Sequence, residues 1–316
     1  MRSLSSVFLL LLSSTWAAAL DIRADPSPTT EVQDGQTGTL IVLPPQATET
    51  GLKQIPDAAH PFVAPGPDDQ RGPALNTLAN HGYIPRNGIA SFEEISLAMM
   101  EAFNLELMLG ANMLANNILT QGNPFANKIS IGGVSPLVPP LPGQIDGPVT
   151  GGIAKHGRFE GDASMTRADA FIGDNRLAAA WKVWRQRPGR EQHRLQCCNL
   201  IGMKKQNIMM DQAANPKFEF AARRLNNAYA EASLLIDVFA NGTTKQATLS
   251  IIGSFFRNQT FPPNWFRAAS PVTGAIVANT VSQIVAAIPV QPGRNNAQGV
   301  PALRITTGPR TSPACL

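Results

Sequence analysis

Cysteine is nearly absent from this chain. Three residues in 316 (Cys197, Cys198 and Cys315) are too few for a disulfide framework. Charge is scarce as well, at 15% Asp, Glu, Lys and Arg against a usual ~25%. Lys+Arg 26 against Asp+Glu 22 leaves a net charge of +4, too small by itself to indicate nucleic acid as a partner. No interior apolar run reaches the roughly 18 residues of a membrane span, so a multi-span membrane protein is excluded. Strand-like alternation never persists long enough for a large sheet, and there is no internal repeat. Apolar residues are plentiful at 43%, which argues against wholesale disorder and leaves room for one large or two modest domains. Glycine and proline, 26 of each, call for long ordered loops.

The N-terminus carries a basic Met1-Arg2, an apolar run from Val7 to Leu12 and the small residues Ala17-Ala18-Ala19. That order predicts a secretory signal peptide over 1–19, whose removal takes Arg2 with it and leaves 4 − 1 = +3. Two N-x-[ST] sequons, Asn241-Gly242-Thr243 and Asn258-Gln259-Thr260, fit a secreted chain. Residues 20–57 are rich in Pro, Thr, Gln and Asp and read as a propeptide or an extended arm, with the folded domain expected over 58–316.

Helical patterns dominate that domain. One helix is expected from Pro73 to His81, ended by Gly82. Ser91 and Glu94 form a capping box, followed by Ile95, Met99 and Ala102 on one face; the pattern continues through Leu109 and Met113 to Leu119 and predicts one long helix. Residues 133–152 read as loop, Thr166 opens another helix, and 217–239 and 243–256 are helical in pattern. The tail from Pro271 reads as irregular, with one apolar stretch at Ile276–Val290. The fold class expected is all-α in a single domain. Arg176 to Lys205 departs in character: eight Lys and Arg against Glu191 give +7, so the rest of the chain is net −3. That stretch is either a solvated basic face or a patch for a polyanion.

Two constellations carry chemistry. In Phe159-Glu160-Gly161-Asp162-Ala163-Ser164, a carboxylate, a carbonyl and a hydroxyl fall within five residues of a loop-to-helix junction. Hard oxygen donors of this kind suit Mg²⁺, and the same residues also suit a plain helix cap. Arg224 and Glu231 lie two helical turns apart on one face, offset by about 10 Å along the axis, so their side chains can converge on one small ligand. An ordinary solvated pair has the same spacing. A third run, Arg71-Gly72-Pro73-Ala74-Leu75-Asn76-Thr77-Leu78-Ala79-Asn80-His81-Gly82-Tyr83-Ile84-Pro85-Arg86-Asn87-Gly88, is by itself a short helix and a Pro/Gly turn, with His81 as a satisfied structural residue.

This third run closely resembles the signature of the fungal heme-thiolate peroxidases, the chloroperoxidase and unspecific peroxygenase family. The resemblance extends upstream to His60-Pro61 and downstream to Pro292-Gly293-Arg294-Asn295, about three quarters of the chain. It implies the family's fold, heme b and a peroxidase or peroxygenase that uses hydrogen peroxide on small organic substrates, with neither nucleic acid nor a membrane as partner. It implies that Pro73, Ala74 and Phe159 border the heme. It further implies that Glu160, the carbonyl of Gly161 and Ser164 hold Mg²⁺, and that Arg224 and Glu231 form the distal acid–base couple. Gly161 favours the peroxygenase branch over chloroperoxidase, which has a histidine within its corresponding metal motif. Leu105 and Leu234 stand where a long-chain peroxygenase has phenylalanine.

The departure is as informative as the match. The family signature R-G-P-C-P-[AG]-L-N-T runs here as Arg71-Gly72-Pro73-Ala74-Leu75-Asn76-Thr77, two residues shorter and without the cysteine whose thiolate binds iron. That thiolate supplies the electron push for O–O cleavage. Cys197, Cys198 and Cys315 lie in other segments, and His81 is the nearest imidazole. Intact flanks around both the gap and the divergent 176–205 stretch suggest inaccurate exon joining. Three classes follow: a secreted heme peroxidase or peroxygenase, a non-catalytic relative holding a hydrophobic ligand, and a basic surface-binding module.

Overall fold

The structure is a computed structural model that describes residues 43–47, 50–66, 75–141, 152–153, 208, 211–216, 218–220, 222–287 and 293–294. The chain divides into two compact units, Met1–Gly38 and Thr39–Leu316, and all described residues belong to the second. The elements are α1 (Leu75–Asn80), β1 (Ile89–Ala90), α2 (Phe92–Phe103), α3 (Leu107–Gln121), β2 (Ile129–Ser130), β3 (Glu219–Phe220), α4 (Ala222–Asp237), α5 (Leu249–Gly253), the π-helix π1 (Ser254–Asn258), α6 (Gly274–Ala287) and β4 (Gly293–Arg294). The described fold is therefore helix-rich rather than all-α. It holds two small antiparallel sheets, with Ile89 opposite Ser130 and Glu219 opposite Arg294. No described helix is long and apolar enough to cross a membrane.

The local signals at Gly82 and Ser91 act as expected. Gly82 takes φ +73°, a left-handed conformation that favours glycine, and stops α1. Ser91 caps α2: its Oγ accepts from Glu94 N at 3.2 Å, and Glu94 Oε2 accepts from Ser91 N at 2.7 Å. Ile95, Met99 and Ala102 are all buried.

The long helix expected through Leu119 is instead two. Asn104 adopts φ 51°, ψ 43° and ends α2, while its Nδ2 donates to Ala268 O at 2.8 Å. Asparagine tolerates this left-handed conformation better than other side chains. Leu105 then bridges Val272, and Glu106 starts α3. Two other expected helices are shorter: 217–239 begins with strand β3 before α4, and 243–256 resolves into a turn, α5 and π1. The tail read as irregular contains the fourteen-residue α6. Its first N–H, at Gly274, donates to Glu106 Oε2 at 3.0 Å, which places a carboxylate at a helix N-terminus.

Helix α2 packs on α3, and α4 on α6. An aromatic core gathers Phe103, Phe239, Phe255, Phe261 and Trp265, with Phe239–Phe255 centroids 4.9 Å apart and Phe255 edge-on to Trp265 at 5.3 Å. Edge-to-face pairs of this kind add roughly 0.5–1.5 kcal/mol each beyond area burial. Residues 51–55 are stitched to the body, with Gly51 N donating to Ala269 O, Ile55 N to Trp265 O and Arg267 N to Lys53 O.

Candidate functional site

The site expected from the sequence spans α1 and α4. Helix α1 is only six residues long, and bonds from π1 and the turn after it hold it. Thr77 Oγ1 donates to Phe255 O at 3.3 Å, and Asn80 Nδ2 to Gln259 O at 2.9 Å. Gln259 supplies that carbonyl from a left-handed turn at φ 57°. A π-helix widens the backbone spiral by one residue per turn, which lets successive carbonyls leave the helix for outside partners.

His81 lies at the end of α1, 3% exposed. Its Nδ1 is 2.8 Å from His60 O, a group that can only accept, so Nδ1 carries the proton. The bare Nε2 accepts from Thr260 Oγ1 at 3.0 Å, with Phe261 N at 3.5 Å. Burial pushes the imidazole below its ordinary pKa and keeps it neutral. Both nitrogens are thus committed, and His81 is the satisfied structural histidine rather than an iron ligand. The second described imidazole, His60, has Nδ1 2.7 Å from Asp57 Oδ1 and its ring stacked on Tyr83 at 3.8 Å. These rings border an open hollow of about 550 Å³ that also takes in Arg86, Glu94 and Leu97; its described lining includes neither Arg224 nor Glu231.

Helix α4 carries Arg224 and Glu231 seven residues apart, both half-buried. Leu225, Ala228, Tyr229, Ala232 and Leu235 are buried around them. Leu105 is 4% exposed, and Leu234 is half-buried. Two features of α4 were not anticipated from sequence. Asp237, its last residue, accepts from Thr280 Oγ1 of α6 at 3.0 Å, and its Oδ2 is buried with no described partner. Burial raises this carboxyl to about 6, opposed by the Thr280 bond. An acid in the last turn of an amphipathic helix, against the helix dipole, was the signal available.

Pro73, Ala74, Phe159, Glu160, Gly161 and Ser164 lie outside the described residues, as do the three cysteines and the 176–205 stretch. Among the described residues, no group of three or more metal-binding side chains occurs.

Residues 60–270 match the family described as Peroxidase, family 2. The chain is 36% identical over 266 residues to an aromatic peroxygenase of Cyclocybe aegerita, covering 80% of this chain and 69% of that one. It is 33% identical over 238 residues to an aromatic peroxygenase of Coprinellus radians, covering 71% and 89%. A 36-residue stretch, 11% of this chain and 10% of the other, is 64% identical to a chloroperoxidase of Leptoxyphium fumago.

Proposed function

The chain belongs to peroxidase family 2, the heme-thiolate peroxidase and peroxygenase enzymes, and from that premise we propose that it is a secreted enzyme using hydrogen peroxide to oxidise or oxygenate small organic substrates. The observation that supports this reading beyond family membership is the placement of Arg224 and Glu231 on one half-buried face of α4 among buried apolar side chains. A carboxylate in such surroundings is suited to take a proton from one oxygen of peroxide and return it to the other; a guanidinium beside it holds the negative charge that grows as the O–O bond lengthens. Heme, when bound, supplies the iron chemistry of the family.

The donor set tests that fit. Arg224 and Glu231 of α4 would supply the acid–base side. On the other side, the run ahead of α1 lacks the family's cysteine, and both nitrogens of His81 are occupied. The family's thiolate is thus the part of the donor set that the sequence lacks, while Arg224 and Glu231 of α4 would carry the proton work. This favours a second reading for the chain as encoded: a family fold that holds a hydrophobic ligand in place of heme.

Three finer assignments complete this reading, the first resting on the N-terminal sequence pattern and the other two on the resemblance. The first nineteen residues direct export, Glu160 with Gly161 O and Ser164 holds Mg²⁺, and Phe159 borders the substrate side. Two of the three relatives named above are aromatic peroxygenases, and an aromatic substrate is the corresponding proposal for this chain. Leucine at 105 and 234 makes for a less aromatic channel. The test is peroxide-dependent turnover of a small aromatic by the chain with Pro-Cys inserted between Gly72 and Pro73. Turnover that disappears in both Glu231→Gln and Arg224→Ala supports the α4 assignment; turnover unchanged in both contradicts it.

A further inference from the structure

The two sequons occupy different structural positions, and the difference assigns a modification. Asn241 opens the six-residue loop 241–246. Its N–H donates to Gln246 O at 3.0 Å, its Oδ1 accepts from Thr243 N at 3.0 Å, and its Nδ2 donates to Asn264 O at 2.9 Å. Lys245, the fifth residue, is left-handed at φ 55°.

The loop 123–128 is built in the same way. Asn123 N donates to Lys128 O at 2.8 Å, Asn123 Oδ1 accepts from Phe125 N at 2.9 Å, Asn123 Nδ2 donates to Pro139 O at 2.8 Å, and the fifth residue, Asn127, is left-handed at φ 47°. Phe125 stands where Thr243 stands, so the first loop is no sequon and its asparagine is there for loop closure alone. The same geometry accounts for Asn241 in full. Gly242 next to it is buried, and a Cβ there would meet Arg267 O at 2.1 Å, so this loop is pressed onto the backbone of the core.

Asn258 is different. It is the exposed last residue of π1. Its Oδ1 accepts from Arg257 Nε at 3.1 Å, and its Nδ2 makes no bond among the described residues. An N-linked glycan is bulky and replaces one of the two Nδ2 hydrogens, so a folded chain accommodates it most readily at an exposed asparagine whose amide nitrogen carries no other bond.

We propose that Asn258 is an N-glycan acceptor and that Asn241 is a loop-closing residue that stays unmodified. The proposal rests on the secretion proposed above, because oligosaccharide transfer takes place only in the secretory pathway. Thr260 serves twice, as the third residue of the sequon and as the hydroxyl partner of His81. The glycan is therefore removed through Asn258→Gln rather than through Thr260.

The experiment expresses the full chain behind a secretion leader of a glycosylating eukaryotic host. The product, from medium and membrane-enclosed fractions, is treated with an N-glycosidase in ¹⁸O-water and mapped by peptide mass spectrometry. The expected result is a heavy aspartate at 258 and unaltered asparagine at 241, with loss of the glycan mass in Asn258→Gln and its retention in Asn241→Gln. A heavy label at 241, or unmodified Asn258 in exported protein, overturns the proposal. A second readout is thermal: after deglycosylation, Asn241→Gln melts at a lower temperature than the unsubstituted protein and Asn258→Gln melts with it, whereas the reverse order contradicts the assignment. Because the leader is foreign, export by the chain's own first nineteen residues is scored separately by omitting it. A failure there leaves the site assignment standing.

Discussion

The Thr260 hydroxyl lies 3.0 Å from Nε2 of His81, across 179 residues of chain. Together with the His60 carbonyl on Nδ1, it fixes one neutral tautomer of a buried ring. The folded-state pKa lies below the ordinary value of about 6.5, so as pH falls the unfolded chain takes up this proton first. The contribution is fully present above about pH 6.5 and is lost as pH drops through the lower, folded value. Denaturant melts of the wild type should therefore show stability falling on the acid side of 6.5, with a shallower fall in His81→Gln. An identical slope in both would remove His81 from the explanation.

Asp237 titrates in the opposite sense. Its carboxyl is raised to about 6 from an unfolded value of 3.8, so the native state holds the proton more tightly. Stability from this group is fully present below about pH 3.8 and is lost as pH rises through 6. At pH 7 the penalty is at most about 3 kcal/mol, at roughly 1.36 kcal/mol per pKa unit. Asp237→Asn keeps an acceptor for Thr280 and removes the charge. It should raise stability at pH 7.5 by about 1–3 kcal/mol and leave it unimproved at pH 4, a crossover that urea midpoints at the two pH values resolve. Destabilisation at both would mean that the ionised form is required.

Arg267 is 2% exposed and lies at the C-terminal end of α2. Its Nη1 donates to Met100 O at 3.2 Å and to Glu101 O, and stands 3.5 Å from Glu101 Oε2; Lys53 pairs with the same carboxylate. A planar cation here adds a donor to Met100 O, which Asn104 N also reaches at 3.0 Å, satisfies Glu101 O in the last turn, and faces the negative end of the helix dipole. Truncation to alanine leaves those carbonyls and Glu101 without the cation and should cost about 3–5 kcal/mol. Arg267→Lys should recover only part, since the shorter-reaching, more strongly hydrated ammonium is costlier to bury and lacks the planar guanidinium that fills this site. Full recovery by lysine in a thermal melt would reduce the role to simple charge.

Gly242 tests close packing. A Cβ there meets Arg267 O at 2.1 Å, a backbone atom that cannot swing away. Gly242→Ala should cost about 1–3 kcal/mol or more by overpacking. Gly51 takes φ +102° with open space around it, so Gly51→Ala carries only backbone strain, about 1–2 kcal/mol. A Gly242→Ala variant that melts with the unsubstituted protein would contradict the account of the 241–246 loop.

Features set by neighbours in sequence were legible. Gly82 and the Ser91–Glu94 box act within a turn of themselves, and the Arg224–Glu231 spacing is a property of any helix. The break at Asn104 was not legible, because the apolar period runs across it through Leu105 and Leu109. What stops α2 there is the Ala268 carbonyl, 164 residues away, and the pairing with Val272. Helix α6 was hidden for a similar reason: its first N–H is satisfied by Glu106, from another helix. At the site, His81 could be read as structural, but its partner Thr260 could be found only in space. Thr260 looked like part of a sequon and nothing more.

The absorption spectrum of the chain, reconstituted with heme, reduced and exposed to carbon monoxide, tests the central claim most directly. The chain as encoded should lack the red-shifted Soret band of a thiolate-ligated adduct, and the form with Pro-Cys restored between Gly72 and Pro73 should display it. A thiolate band from the unaltered chain, or a folded restored form that binds no heme, would contradict the account.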